Sequence, residues 1–194
     1  MAHREPASEA TSDRALIDAC LKHDNNAFAH LVKRYEGSVA SVLWRFTRDR
    51  LVLEELVQET FVEAYFSLRR FRGEAPFFPW LRTIATRVGY RSWRRARRDR
   101  LRAERLVQWN WGGELETAAR VPGDTAEYVY RILETLDPKD RLVLTLQYFE
   151  GCSTSEIAER MGWSSTLVKV RAFRARKRLR AHLLEMESVE NERT

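Results

Sequence analysis

The stretch Ser153-Thr-Ser-Glu-Ile-Ala-Glu-Arg-Met-Gly-Trp-Ser-Ser-Thr-Leu-Val-Lys-Val-Arg-Ala-Phe-Arg-Ala-Arg176 decides the reading of the fold. Ser153 and Glu156 stand three apart, the spacing at which each side chain satisfies an orphaned amide at a helix N-terminus, so a helix opens here. Gly162 ends it, because glycine accepts the left-handed backbone that closes a helix. Ser164 then caps a longer helix over 165–184. Two helices joined by a tight turn, the second rich in arginine, have the pattern of a helix-turn-helix, whose second helix enters the major groove of DNA.

Angular placement sharpens this. At about 100° per residue, with Val168 as origin, Ala172, Ala175, Leu179 and Leu183 fall on the core side. Lys169, Val170, Phe173, Arg174 and Lys177 fall outward, with Arg176 at the margin. An outward basic face needs no special explanation, but Val170 and Phe173 among those charges do. They stand either as contacts to thymine methyls beside basic groups that reach base edges and phosphates, or as side chains folded into a domain contact.

Upstream, helical periodicity dominates and no strand alternation is found, so the chain reads as all-α. Asp24 caps a helix through Tyr35, another covers 38–47, and Leu51, Leu53, Leu56, Val57, Phe61, Ala64 and Tyr65 mark a longer one over 50–69. That helix also carries Glu54, Glu55, Gln58, Glu59 and Glu63, an acidic side that is either solvated or meant for a protein. Gly73, Pro76 and Pro79 break the pattern into a loop at 71–79. Pro79 suits the first turn of the next helix, whose Leu81, Ile84, Ala85 and Val88 keep the i, i+3, i+4, i+7 spacing of a buried stripe. Opposite lie Arg87, Tyr90, Arg94 and Arg97, with Trp93 at the flank. Tyr90 and Trp93 serve either as stacking platforms for unstacked bases or as half-buried packing residues, while Trp44 and Trp80 are expected in the core. From about Gln108 to Gly123 the periodicity fades, with Gly112, Gly113, Pro122 and Gly123, and Trp109 and Trp111 among them. Asp124 and Glu127 then form a capping box ahead of an apolar face of Val129, Ile132, Leu133 and Leu136. Asp137-Pro138 starts another helix through Phe149, with Gly151 as terminator.

The expected architecture is two small helical domains, 13–105 and 124–185, joined by a flexible linker at 106–123 and flanked by tails at 1–12 and 186–194, with the helix-turn-helix in the C-terminal domain. Charge follows that division. The 194 residues carry 34 basic and 28 acidic side chains, net +6. Residues 82–105 hold ten basic and two acidic groups, 169–194 hold eight and four, and the segment between them holds five and ten. Two basic clusters separated by an acidic stretch point to two contact sites on one polyanion rather than diffuse attraction. Two distant cysteines, Cys20 and Cys152, give neither a disulfide framework nor a metal cluster. Four scattered histidines and no glycine-rich phosphate loop leave an enzyme little to work with. No run of eighteen apolar residues occurs, and the polar N-terminus is unlike a signal peptide. No cofactor, metal, small-molecule substrate or membrane insertion is expected, and a cytoplasmic location is.

Several strings in order resemble the bacterial extracytoplasmic-function (ECF) sigma factors, from about Asp13 to Leu184. Glu55-Leu-Val-Gln-Glu-Thr-Phe61 resembles the segment that binds the clamp helices of core RNA polymerase, which implies contacts from Glu55, Leu56, Gln58, Glu59 and Phe61. Phe71-Arg-Gly-Glu-Ala-x-Phe77, with Trp80-Leu-x-x-Ile-Ala85 after it, resembles the part that melts and reads the −10 element. This implies roles for Phe71, Arg72, Gly73, Glu74 and Phe77, and for Arg87, Tyr90, Arg91, Arg94 and Arg97 on the following helix. Leu136-Asp-Pro-x-x-Arg141, Glu156-Ile-Ala158 and the Val168–Arg176 run resemble the −35 domain, implying contacts from Ser164, Ser165, Lys169, Val170, Arg171, Phe173, Arg174 and Arg176. The resemblance implies promoter DNA and core polymerase as partners, and an anti-sigma factor as regulator that holds the protein at the membrane or in solution. Arg87 stands where relatives usually have Asn, and Val170 where they have Ser, so the promoter sequence does not transfer from them. The competing reading, a free-standing dimeric helix-turn-helix regulator, accounts for 124–184 but leaves the acidic helix and the 71–80 loop without a role.

Overall fold

The computed structural model describes residues 7–110 and 132–191, and every regular element among them is helical. The chain divides into two compact units, residues 1–93 and 94–194. The first contains α1 (Ala7–Leu21), α2 (Asn25–Leu43), α3 (Arg50–Ser67), a 3-10 turn over Leu68–Arg70 and the first half of α4 (Phe77–Asn110). Asp24 caps α2 by accepting from the Asn26 amide at 2.9 Å, and Asp49 caps α3 from Leu51 at 2.8 Å. Leu31, Val39, Leu43, Leu81 and Val88 are fully buried. The stripe foreseen on α4 is therefore the seam by which this helix joins the core. The buried carboxylate of Asp13 on α1 is held by Arg34 and Tyr35 of α2.

Five boundaries differ from expectation. Helix α4 begins at Phe77, inside the loop expected over 71–79. Helix α1 begins at Ala7, inside the segment expected as a tail, and α2 is one helix where two were expected. Gly37 lies exposed, where a Cβ would meet open space, and its helix cost of about 1 kcal/mol is offset by burial of Val39, Val42 and Leu43 just beyond. Helix α4 runs to Asn110, five residues into the expected linker, because no Gly or Pro interrupts it after Gly89. The last helix likewise continues to Asn191.

In the second unit, a helical stretch over 132–135 precedes α5 (Pro138–Leu144), whose chain continues as a π-helical turn over Thr145–Phe149. Then come α6 (Thr154–Met161) and α7 (Ser165–Asn191). Asp137 caps α5 through the Lys139 amide at 3.0 Å. The capping box forms in both directions: Ser153 Oγ accepts from the Glu156 amide at 3.2 Å, and Glu156 accepts from the Ser153 amide at 2.7 Å. Gly162 closes α6 at φ +67°, and Ser164 Oγ accepts from the Leu167 amide at 3.2 Å to open α7. Leu133, Leu136, Leu144 and Ala175 form the core against which Leu179 packs. The capping box at Asp124 and Glu127, Val129, and Trp111 with its neighbouring glycines lie outside the described residues.

One junction of the first unit depends on the absence of a single carbon. A Cβ on Gly89 of α4 would lie 2.4 Å from the Phe46 ring. Phe46 in turn packs on Trp93 at 4.4 Å between centroids, and the Trp93 indole donates to the Phe46 carbonyl at 2.6 Å. Gly89→Ala is expected to destabilise the protein by about 1–3 kcal/mol through overpacking, despite alanine's better helix propensity. Thermal unfolding followed by circular dichroism checks this.

Candidate nucleic-acid and partner interfaces

On α7, burial of Val168, Ala172 and Ala175 turns Lys169, Val170, Phe173, Arg174, Arg176 and Lys177 to solvent. Phe173 is 65% exposed and Val170 41%. Lys169, Arg174, Arg176 and Lys177 make no ion pair among the described residues. Ser165 is exposed beside the capping Ser164. A face with open cations around two apolar side chains suits a groove that offers phosphates at its rim and methyl groups on its floor.

Arg171 departs from that face. It follows Val168 by three residues and precedes Ala175 by four, so it lies at the edge of the buried stripe. Its guanidinium reaches Asp140 at 3.1 Å and Asp137 at 3.6 Å. Arg178 takes the other oxygen of Asp140 at 3.3 Å, and that carboxylate is almost wholly buried. Arg171, expected at the DNA, instead holds α7 to α5. A second buried pair, Glu150 with Arg160 at 2.6 Å, fastens α6 to the chain that follows the π turn.

In the first unit, Arg87 and Arg91 of α4 are exposed, as are Arg72, Gly73 and Glu74 of the loop, and in the second unit Arg94 and Arg97 of the same helix are exposed too. Tyr90 and Trp93 are buried at 7% each, which makes them packing residues and removes Tyr90 from the stacking surface. The buried arc of α4 is wider here than its aliphatic stripe, since Phe46 fills the space above Gly89. Phe77, expected to meet DNA, is 2% exposed and sits among Tyr35, Phe71 and Trp80 with ring centroids 5.4–5.6 Å away. That cluster braces the loop and leaves Phe71 half-buried at its edge. Trp80 packs there as expected, whereas Trp44 is 43% exposed with the Arg48 guanidinium over its ring. Arg97 pairs with Asp137 at 3.1 Å within the second unit.

Arg91 has the same position relative to Val88 that Arg171 has to Val168, and the same outcome. Its Nη2 donates to Glu59 of α3 at 3.0 Å and also to Glu63. The Glu63 bond pushes its pKa further up against the opposing effect of desolvation, with Glu59 adding to the rise. Along α3, Glu55 and Gln58 are exposed, while Leu56 and Phe61, expected as partner contacts, are 5% exposed and belong to the packing. Phe61 also lines a groove of about 720 Å³ between α2 and α3, with Val32, Gly37, Ala40, Val57 and Val62 at its walls and Glu36, Glu54 and Gln58 at its rim. Sequence reading missed this groove and the exposed Val62 and Phe66 beyond it. Their signal was an apolar residue at each place where the acidic side continues.

Cys20 and Cys152 are buried free thiols, and burial, aided by the charge of Asp24, pushes the Cys20 thiol up. Among the described residues no cluster could hold a metal, and no helix is long and apolar enough to cross a membrane.

A helix-turn-helix unit joined in sequence to a helical unit with a basic helix and an acidic one defines a DNA-binding protein of the transcription apparatus. The sigma-70 region 2 family model matches residues 31–99, and the sigma-70 region 4 model matches residues 126–179. The ECF RNA polymerase sigma-E factor of Escherichia coli K12 is 32% identical over 178 residues, covering 87% of this chain and 93% of that protein. The sigma-E factor of Haemophilus influenzae is 31% identical, covering 87% and 94%. The solved structure of CnrH in complex with the cytosolic domain of CnrY matches with 29% identity and a TM-score of 0.55, covering 89% of this chain and 97% of that one. RpoE of Bartonella quintana, solved with the anti-sigma factor NepR, shares the fold at 23% identity and a TM-score of 0.51, covering 80% and 96%. The chain belongs to the ECF sigma factors of the sigma-70 family, and its function is that of an RNA polymerase sigma factor in transcription initiation.

The Asp140 contacts separate support from readout on α7. Asp140→Ala leaves the partly buried Arg171 with Asp137 alone at 3.6 Å and breaks the Arg178 contact, and is expected to cost about 1–3 kcal/mol, while Arg174→Ala stays within about 0.5 kcal/mol as a surface change. Urea unfolding of the two variants measures both.

Proposed function

We propose that the open face of α7 reads the −35 element and that the loop over 71–76, with the exposed arginines of α4, binds and opens the −10 element. Glu55, Gln58 and Glu59 on the acidic side of α3 dock on core polymerase. The observation that carries this reading is the α7 face, where Lys169 and Arg174, without an ion pair among the described residues, stand beside exposed Val170 and Phe173. In this scheme Lys169, Arg174 and Arg176 contact base edges and phosphates, and Val170 and Phe173 contact the groove floor. Ser164 positions the helix, with Ser165 near the backbone. Phe71, Arg72, Gly73 and Glu74 receive a flipped base of the −10 strand, at an unstacking cost of about a few kcal/mol, while Arg87, Arg94 and Arg97 neutralise phosphates. The chain acts as a binding subunit in the cytoplasm, without chemistry of its own. A protein inhibitor of the anti-sigma class regulates it, in keeping with the bound protein partner of the similar CnrH.

Using two weak DNA sites at once raises the effective concentration at each, so neither needs to be tight. Lys169→Ala and Arg174→Ala are each expected to lower −35-dependent initiation by about 1–3 kcal/mol in run-off transcription with core polymerase. Initiation at the level of the unaltered chain in both variants refutes the α7 assignment.

The docking face has its own test. Glu55 is exposed, with no ion pair among the described residues, so Glu55→Lys acts there by charge reversal alone. It is expected to weaken core-polymerase binding about tenfold or more, since like charges brought together at a protein interface cost several kcal/mol. Co-purification and titration with core polymerase read this directly.

A further inference from the structure

The Arg91 site joins two surfaces that the function uses separately. Arg91 lies on the basic helix α4, one turn beyond Arg87 and one turn before Arg94 and Arg95, where an extended guanidinium would add to a line of phosphate contacts. Its Nη2 is instead held by Glu59, at 3.0 Å, and by Glu63, both on α3. Glu59 follows Glu55 by four residues, one helical turn along the acidic side of α3. All three members of the cluster are only partly covered, with side-chain exposures of 44% for Arg91, 40% for Glu59 and 33% for Glu63. A fully buried triad would be a permanent fixture. A half-exposed one is held by modest net energies and yields to a competing charge. The two competitors are plain: a phosphate for Arg91 and a basic partner for Glu59.

We propose that Glu59 and Glu63 form a latch that withholds Arg91 from DNA in the free protein, and that docking of a basic partner on the acidic side of α3 loosens it. A cation brought to Glu55, Gln58 and Glu59 draws on the Glu59 carboxylate and leaves Arg91 with one acceptor instead of two. The freed guanidinium then binds a phosphate, so partner binding and DNA binding favour one another by the same free energy in both directions. The loosening step rests on the reading of α3 as the polymerase-docking side; the latch itself does not.

Glu63 is the handle for a test, since it carries no assigned contact to polymerase and Glu63→Gln is nearly isosteric. Phosphate contacts are sequence-independent, so a fluorescently labelled duplex of mixed sequence serves as the probe, titrated by anisotropy across a salt series. In the full-length free chain, Glu63→Gln is expected to tighten binding several-fold and to steepen the slope of log affinity against log salt by about 0.9, the value of one added phosphate contact. The gain is expected to vanish in the Arg91→Ala/Glu63→Gln double variant. A gain of equal size in the double variant is diffuse charge removal and overturns the latch, as does no gain in the single variant. With the chain bound to core polymerase, the advantage of Glu63→Gln is expected to shrink, because the latch is already loosened. An undiminished advantage there overturns the coupling. Failure of Glu55→Lys to weaken polymerase binding is a different result: it refutes α3 as the docking side while the free-chain measurement still decides the latch.

Discussion

A helix dense in arginine cannot be buried all round, because taking a guanidinium out of water costs several kcal/mol unless a carboxylate meets it. Burying a leucine, isoleucine or valine returns about 1.5–3 kcal/mol each. In α4 and α7 this opposition fixes the rotation of the helix about its own axis. Leu81, Ile84, Ala85 and Val88 go inward on one, and Val168, Ala172 and Ala175 on the other. Most arginines are thereby turned to solvent. Arg91 and Arg171, each three residues past a fully buried valine, fall at the edge of a stripe and are met by carboxylates, as are Arg97 and Arg178 further along the same helices. The same rule that exposes a DNA-binding face therefore decides which arginines are withheld from it.

Much of this was legible in the sequence. The capping box at Ser153 and Glu156, the glycine turn, the Ser164 cap and both apolar stripes depend on contacts within one or two helical turns, and spacing reports those directly. Tyr90 and Trp93 were not settled by spacing, because an angle on a helical wheel does not say how wide the buried arc is. Phe46 decides that from another part of the chain, and Gly89 was the signal, a helix-interior glycine kept for close approach. Asp140 was also opaque. Read along the chain it is an acid in the first turn of a helix, whereas its partners lie 31 and 38 residues away, at no spacing that a pattern rule covers. Gly37 misled in the opposite direction, since burial on either side outweighs its local preference.

The division of charge has a mechanical counterpart. The acidic α3 lies against the basic α4 in the first unit, and in the second Asp137 and Asp140, at the start of α5, meet Arg171 and Arg178 of the basic α7. In both, carboxylates orient a basic helix whose open side faces away from them.

The exposed apolar side chains of α3 have a consequence for the protein in free solution. Phe66 is 79% exposed, Leu51 72% and Val62 56%, and all stand on one helix beside an apolar groove. Such a row is a self-association hazard whenever nothing covers it. Glu54, Glu55 and Gln58 set among these side chains, together with a net positive charge that makes copies repel, oppose that association. Colloidal behaviour is therefore expected to follow ionic strength, because salt screens the repulsion while leaving the apolar attraction in place.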